Sequence, residues 1–319
     1  MDVLTLLGQL LNSTLVFSTA LIFTALGGIF SERSGVVNIG LEGLMIFGAF
    51  AAGVGTYYAQ EAGLGGMAPW IGVIAAIVVG ILGSLIHAVA SITFKADQTI
   101  SGIVINFLAA GLTVYIVKML FDGSAETPLI KVFHKIAIPF LRDIPVIGEG
   151  LFNSYPTTYL ALILVGVAYY VLFKTPFGLR LRSVGEYPGA ADTLGVNVSR
   201  MRYIGVMISG ALAGIGGATI TLTTTSTFAH NTISGQGFIA IAAMIFGKWN
   251  PVGALGAAMF FGFSQAIRNY VQLFEWSRSI PQEFIFMIPY VLTIIVLVSA
   301  VGRSSAPSAL GTPYDPSKR

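Results

Sequence analysis

An all-α protein that threads a membrane about nine times, between roughly eight and ten, is what this sequence predicts, and three observations carry that prediction. Hydrophobic residues make up 55% of the 319 and charged residues only 10%, with a mean hydropathy of +0.82, which leaves too few polar side chains to cover a soluble globule of this length. Apolar runs close to the 20 or so residues that cross a bilayer recur along the whole chain. Two of those runs are broken by polar, glycine-containing strings, so some helices are expected to be discontinuous.

Taken in order, the runs place spans at about 12–31, 36–58, 69–91, 99–121, 156–174, 203–225, 229–247, 251–272 and 284–301. The first run follows Met1-Asp2-Val3-Leu4, which lacks a basic segment, and no small-residue cleavage site succeeds it, so it is expected to stay as a helix. No cysteine is present, which excludes disulfides, thiolate metal sites and cysteine nucleophiles, and His87, His134 and His230 are too scattered to suggest a metal cluster. The net charge of +3 says little about nucleic acid, because basic residues belong in the cytoplasmic loops of any membrane protein.

Charge placement orients the chain. Lys174, Arg180, Arg182, Arg200 and Arg202 gather around residues 175–202 against only Glu186 and Asp192, the bias of a cytoplasmic loop. Alternating outward from there puts Arg33, Lys95, Lys248, Arg303, Lys318 and Arg319 on the same side, 11 of the 17 basic residues in all. The N-terminus is then outside and the C-terminus cytoplasmic. The long connection 122–155, with Pro128, Pro139 and Pro145, falls outside and reads either as an ordered cap or as a linker. The stretch 185–195 is too polar for lipid and is expected to form a short helix lying flat, and the Ser- and Pro-rich tail 303–319 is expected to be disordered. Residues 1–302 thus form one transmembrane domain.

Polar residues inside apolar runs are the candidate site. Asn38 and Glu42 stand four apart and share a helix face if a helix begins near Val36; Glu42 either caps that helix or pairs with Arg33, or it bonds polar groups of a substrate in a translocation path. Asn106, beside Phe107, either bonds a neighbouring helix or reads the edge of a purine or a ribose hydroxyl. Gln236 opens an apolar stretch of about 11 residues, roughly 16 Å of helix, too short for a hydrocarbon core of about 30 Å without a broken partner. Gly210, Gly214 and Gly217 line one helix face, as Gly253, Gly256 and Gly262 approximately do, the usual device for close helix contact. The hydroxyl-rich run 221–238 contains His230 but no nucleophile or second acid at a recognisable spacing, and no phosphate-binding loop with a Gly-Lys-Ser/Thr ending occurs. Enzyme chemistry is not expected on this chain.

Four strings together carry a resemblance: ERSGVVNIGLEGLM at 32–45, Asn106, TPFGLR at 175–180 and GKWNPVGA at 247–254. Over about residues 10–300 the chain resembles the nucleoside permeases of bacterial ABC importers, within the superfamily that also handles simple sugars and branched-chain amino acids. The resemblance implies a bacterial plasma-membrane importer built from this chain, a second and similar permease, an ATPase with two nucleotide-binding domains that binds ATP and Mg, and a lipid-anchored binding protein that delivers nucleoside. It implies no cofactor on this chain and no nucleic-acid partner. The loop 175–202, with Arg182, Gly185, Glu186, Gly189, Ala190, Asp192 and Gly195, is then expected to act as the coupling loop to the ATPase, and Asn38, Glu42, Asn106, Phe107 and Gln236 to line the substrate pathway. A permease for sugars or branched-chain amino acids, or an ion-coupled secondary transporter, are the competing readings.

Overall fold

The computed structural model describes residues 3–142, 144–272 and 306–316 and, between the last two, residues 280, 281, 283, 284, 287, 291 and 294. The span expected at about 284–301 lies mostly outside the described residues. The chain is an all-α, polytopic membrane protein, and its described helices are, in order, α1 (Val3–Arg33), α2 (Leu41–Glu61), α3 (Ala68–Ala88), α4 (Gln98–Leu120), α5 (Ile147–Leu151), α6 (Pro156–Lys174), α7 (Pro176–Glu186), α8 (Pro188–Thr193), α9 (Val198–Ile220), α10 (Gln236–Phe246) and α11 (Pro251–Val271). Among the described residues, five helical stretches are long and apolar enough to cross a membrane: Leu4–Arg33, Gly65–Thr93, Gln98–Leu120, Pro156–Lys174 and Val198–Thr225.

Turn chemistry sets most of the boundaries. Pro stands in the first turn of α3, α6, α7, α8 and α11, where its missing N–H costs nothing. Asp97 accepts from Ile100 N at 2.9 Å to start α4, Asn197 from Arg200 N at 2.8 Å to start α9, and Asn250 from Val252 N at 2.9 Å to start α11. α3 and α9 each finish in a π-helical turn, at Val89–Thr93 and Thr221–Thr225.

The centre is α9, which packs against α1, α2 and α3. A Cβ on Gly210 would run into Gly80 O and Ser84, one on Gly214 into Ala76 O, and one on Gly217 into Met45 O, so the α9 glycines are the contact surface of three helices. The second glycine set is not one packed face. Gly262 meets Ser18 and Gly253 meets Gly247, whereas Gly256 faces open space.

The two loops predicted on opposite sides lie at opposite ends of α1. Near its start, the buried Asn12 donates to Gly150 O at 3.2 Å and to Asn153 O at 2.8 Å and accepts from Lys135 Nζ at 2.6 Å, binding the 122–155 connection. That connection is ordered, with α5 and a short antiparallel ladder pairing β1 (Ile136–Ala137) with β2 (Asn153–Ser154). At the far end of α1, Arg33 Nη1 stands 3.8 Å from Glu186 Oε1 at the end of α7.

Three expectations need correction. The helix expected over about 229–247 is only α10, because Gly235 at φ 87° begins it late and residues 226–235 are irregular. The single flat helix expected at 185–195 is instead the end of α7 and a separate α8, parted at Tyr187 because Pro188 disfavours a helical residue before it. The tail expected to be disordered has its residues 306–316 folded against α7 and α8: Ala309 N donates to Gly185 O at 2.9 Å, Ser308 N to Glu186 at 3.1 Å and Tyr314 OH to Asp192 at 2.7 Å. Lys95 meets Asp315 at 3.0 Å. Composition had signalled too little apolar surface for an independent core, but the tail borrows a surface already built.

Gly217→Leu is expected to lower thermal stability in detergent by about 2 kcal/mol or more through overpacking against Met45, while Gly166→Ala, whose position opens on free space, leaves the melting temperature unchanged or slightly raised. Fluorescence-detected gel filtration after heating reads both.

Candidate functional site

The site is built where two helices stop inside the bundle. α1 ends at Arg33 with the N–H groups of Ser34, Gly35 and Val36 bonded back to its last turn, Gly35 turns the chain at φ 89°, and the chain stays non-helical until α2 begins at Leu41. Freed backbone groups buried in this way need partners, and side chains of α3 and α4 supply them. Val37 N donates to Gln98 Oε1 of α4 at 2.7 Å, and Val37 O accepts from His87 Nε2 of α3 at 3.0 Å. Since a carbonyl only accepts, His87 carries its proton on Nε2, and its Nδ1 takes the Ser101 hydroxyl at 2.9 Å.

Asn106 closes the upper end of the break. Its Nδ2 donates to Ile39 O at 3.1 Å and its Oδ1 accepts from Gly43 N at 2.7 Å, an N-cap for α2 supplied from across the bundle, since Gly40 offers no side chain for the purpose. Gly102 lets α4 come this close: a Cβ there would stand 2.8 Å from Gly40 N. Asn38, 1% exposed, donates through Nδ2 to Ser209 Oγ of α9 at 2.9 Å, and its Oδ1 has no hydrogen-bond partner among the described residues.

The second stop is the start of α10. Gly235 provides no cap either, and Glu42 supplies one from α2: Oε1 accepts from Gly235 N and Oε2 from Gly237 N, both at 2.6 Å. A carboxylate facing the positive end of a helix is favourable twice over, by charge and by hydrogen bonding. Beside it the Gln236 and Gln265 amides exchange hydrogen bonds at 3.3 Å in each direction, joining α10 to α11.

Asn38, Glu42 and Asn106 therefore do converge, with Gln236 next to Glu42. Phe107 does not join them: it follows Asn106 by one helical step, and its ring is 76% exposed on the outward face of α4. His87, Gln98, Ser101 and Ser209 belong to the arrangement without having been expected there; a lone polar side chain in an apolar helix was the only signal. His230 is exposed in the 226–235 loop, away from the break.

The loop 175–202 sorts into two faces. Arg182 donates to Leu172 O at 3.0 Å and lies 4.8 Å from the Phe173 ring centre, Gly185 is buried, and Glu186 and Asp192 bind Ser308 and Tyr314. These predicted residues brace α7 and α8 against the molecule. Outward stand Gly189, with nothing near its Cβ position, the exposed Ala190, and Gly195 at φ 81°, together with the apolar Tyr187 and Leu194, 71% and 84% exposed.

Breaks lined by polar side chains in a multi-pass α-helical bundle are the build of a transport protein. The chain belongs to the family described as branched-chain amino acid transport system / permease component, which matches residues 10–297. It is 53% identical over the full length of both chains to the guanosine ABC transporter permease protein NupQ of Bacillus subtilis (strain 168), and 44% identical, again over both full lengths, to the nucleoside ABC transporter permease protein NupC of Lactococcus lactis subsp. cremoris (strain MG1363). The putative glucose ABC transporter permease protein TsgC13 of Haloferax volcanii is 33% identical over 96% of this chain and 97% of its own.

Asn106→Leu strands Gly43 N–H and Ile39 C=O in the bundle and is expected to cost about 1–3 kcal/mol of stability. Glu42→Gln presents an NH2 to one of two N–H donors and is expected to destabilise by a similar amount, read as a lower melting temperature of the purified protein.

Proposed function

We propose that this chain is the membrane-spanning permease subunit of an ATP-driven ABC importer for nucleosides in the bacterial plasma membrane. The observation that carries the reading is identity of 53% along the whole of a guanosine permease, supported by polar groups gathered at two helix breaks. ATP and Mg are bound by a partner ATPase; a second, similar permease completes the pore, and a lipid-anchored binding protein delivers substrate to the side of the 122–155 connection.

Chemistry at the break suits such a substrate. A nucleoside presents hydroxyls and base-edge donors and acceptors that leave water only when replaced. Asn38 Oδ1, without a hydrogen-bond partner among the described residues, is an acceptor at the break, and the Gln236–Gln265 pair can open to give one donor and one acceptor each. Glu42 and Asn106 have most of their capacity committed to backbone, so their part is to hold the half-helices that frame the path. Phe107 lines that path only if the second permease closes over the outward face of α4.

On the cytoplasmic side, α8 with Tyr187 and Leu194 is the piece that seats in a groove of the ATPase. Exposed aromatic and aliphatic side chains on a short, braced helix are what such a groove desolvates. Closure of the ATPase on ATP then displaces α8, and the helices attached to it alternate access to the break.

Uptake of labelled guanosine, cytidine, ribose and leucine by cells with and without this chain tests the substrate: loss confined to the nucleosides is expected. Loss of ribose uptake alone would favour the sugar reading that the haloarchaeal relative supports, and uptake that survives ATP depletion but not an ionophore would favour an ion-coupled carrier. Tyr187→Ala with Leu194→Ala is expected to leave the chain folded while lowering ATPase association at least about tenfold, as loss of one or two interface anchors does, measured by co-purification.

A further inference from the structure

One polar string holds both ends of a half-helix. α10 is 11 residues long, about 16 Å. At its start Glu42 takes the N–H groups of Gly235 and Gly237 at 2.6 Å each. At its end the chain turns through Lys248 and Trp249 at φ 56° and 51°, a left-handed conformation that side-chain-bearing residues keep only where surroundings hold it.

What holds that turn is the end of α1. Glu32 accepts from Trp249 Nε1 at 2.5 Å, while Arg33 donates through Nε to Trp249 O at 3.1 Å and through Nη2 to Lys248 O at 3.4 Å. The remaining Arg33 nitrogen, Nη1, faces Glu186 Oε1 at 3.8 Å, where α7 ends and the chain turns into α8. Contact there is close as well, because a Cβ on Gly185 would overlap Arg33 O. Hence α1, α7 and the α10–α11 turn meet in one junction, and the half-helix runs from that junction to the break.

We propose that Arg33 is a positioning residue for transport: it ties the half-helix α10 to the coupling element α7–α8, so that a displacement imposed on α8 reaches the start of α10 at the break. The proposal rests on the permease reading above and deepens it. A guanidinium suits the task because its planar fork binds two carbonyls and faces a carboxylate in a single geometry, which an ammonium cannot reproduce. Pinned at both ends, α10 moves as a unit; released at Arg33, the 247–250 turn is free to absorb the motion. Arg33 need touch no substrate to act in this way.

The test uses the complete complex, permeases, ATPase and binding protein, in proteoliposomes supplied with labelled guanosine, reading uptake and ATP hydrolysis in the same vesicles. Arg33→Gln is expected to lower guanosine imported per ATP about tenfold, within the range by which coupling residues act, with hydrolysis held within about twofold. Arg33→Lys, which keeps the charge facing Glu186, is expected to recover part of the ratio. A parallel fall in uptake and hydrolysis, or an unchanged ratio, overturns the proposal.

A second readout needs little transport. The chain has no cysteine, so Ser234→Cys, at an exposed position just before α10, gives this subunit a single thiol. Its rate of reaction with a water-soluble thiol reagent is expected to change with ATP when Arg33 is present and to lose that response in Arg33→Gln. The same ATP response in both backgrounds overturns the link. A wild-type complex that imports no nucleoside with ATP removes the permease reading itself, and the proposal with it.

Discussion

Backbone hydrogen bonding inside a membrane is the constraint on which the rest of this structure depends. A helix satisfies its own N–H and C=O groups except at its ends, and an end buried in protein leaves donors and acceptors that no water reaches. Residues 34–40 and the start of α10 are two such places. Each buried polar group left unmade there costs about 1–3 kcal/mol, comparable with a sizeable part of a domain's whole stability. His87, Gln98, Asn106 and Glu42 answer that cost, one or two freed groups apiece, from α3, α4 and α2.

These side chains are short, so they reach only if the helices come close. That is the part played by the glycines of α9 and by Gly102, which place backbone against backbone where any Cβ would collide. Small-residue packing and polar satisfaction are thus a single arrangement. Widening the α4–α2 contact by one methyl group would push Asn106 off Gly43 as surely as removing its amide would. Apolar burial adds to this around Leu21, Phe23, Leu26 and Ile29 of α1, all essentially inaccessible, but does not by itself choose where the breaks fall.

Much of this was legible in the sequence. The apolar runs placed α3, α4, α6 and α11 to within a few residues but started α1 nine residues late and made α10 too long, and the polar strings at 32–43 and around 235 marked both breaks. Asn38, Glu42 and Asn106 were visible because amides and carboxylates are conspicuous in apolar segments. Their partners were not. Gly235 lies 193 residues beyond Glu42 and Ser209 lies 171 beyond Asn38, and periodicity reports which residues share a face of one helix, never which helix that face meets. His87 shows the same limit: one histidine among apolar residues looks alike whether it holds a backbone carbonyl or nothing. The tail at 306–316 misled for a related reason, since a segment with no core of its own is ordered by a surface that composition cannot describe.

The 175–202 loop carries the most general lesson. Its charged residues drew attention, because charge marks the cytoplasmic side, yet Arg182, Glu186 and Asp192 are tied to the chain's own Leu172 O, Ser308 and Tyr314. Tyr187 and Leu194 stand outward, beside the exposed Leu179, Arg180 and Arg200. Charges near a membrane border serve orientation and bracing at little desolvation cost, because the pairs they form stay partly in water. Affinity for a partner comes from removing apolar surface from water, so under the proposed coupling role Tyr187 and Leu194 are the side chains with most to gain from a partner, while Arg182, Glu186 and Asp192 fix the loop to its own chain. Glu42 follows the same division at the break. A carboxylate with a backbone N–H on each oxygen holds the start of α10, whereas the neutral Asn38 keeps a buried acceptor, Oδ1, without a partner among the described residues, and an uncharged acceptor costs far less to bury than a charge does.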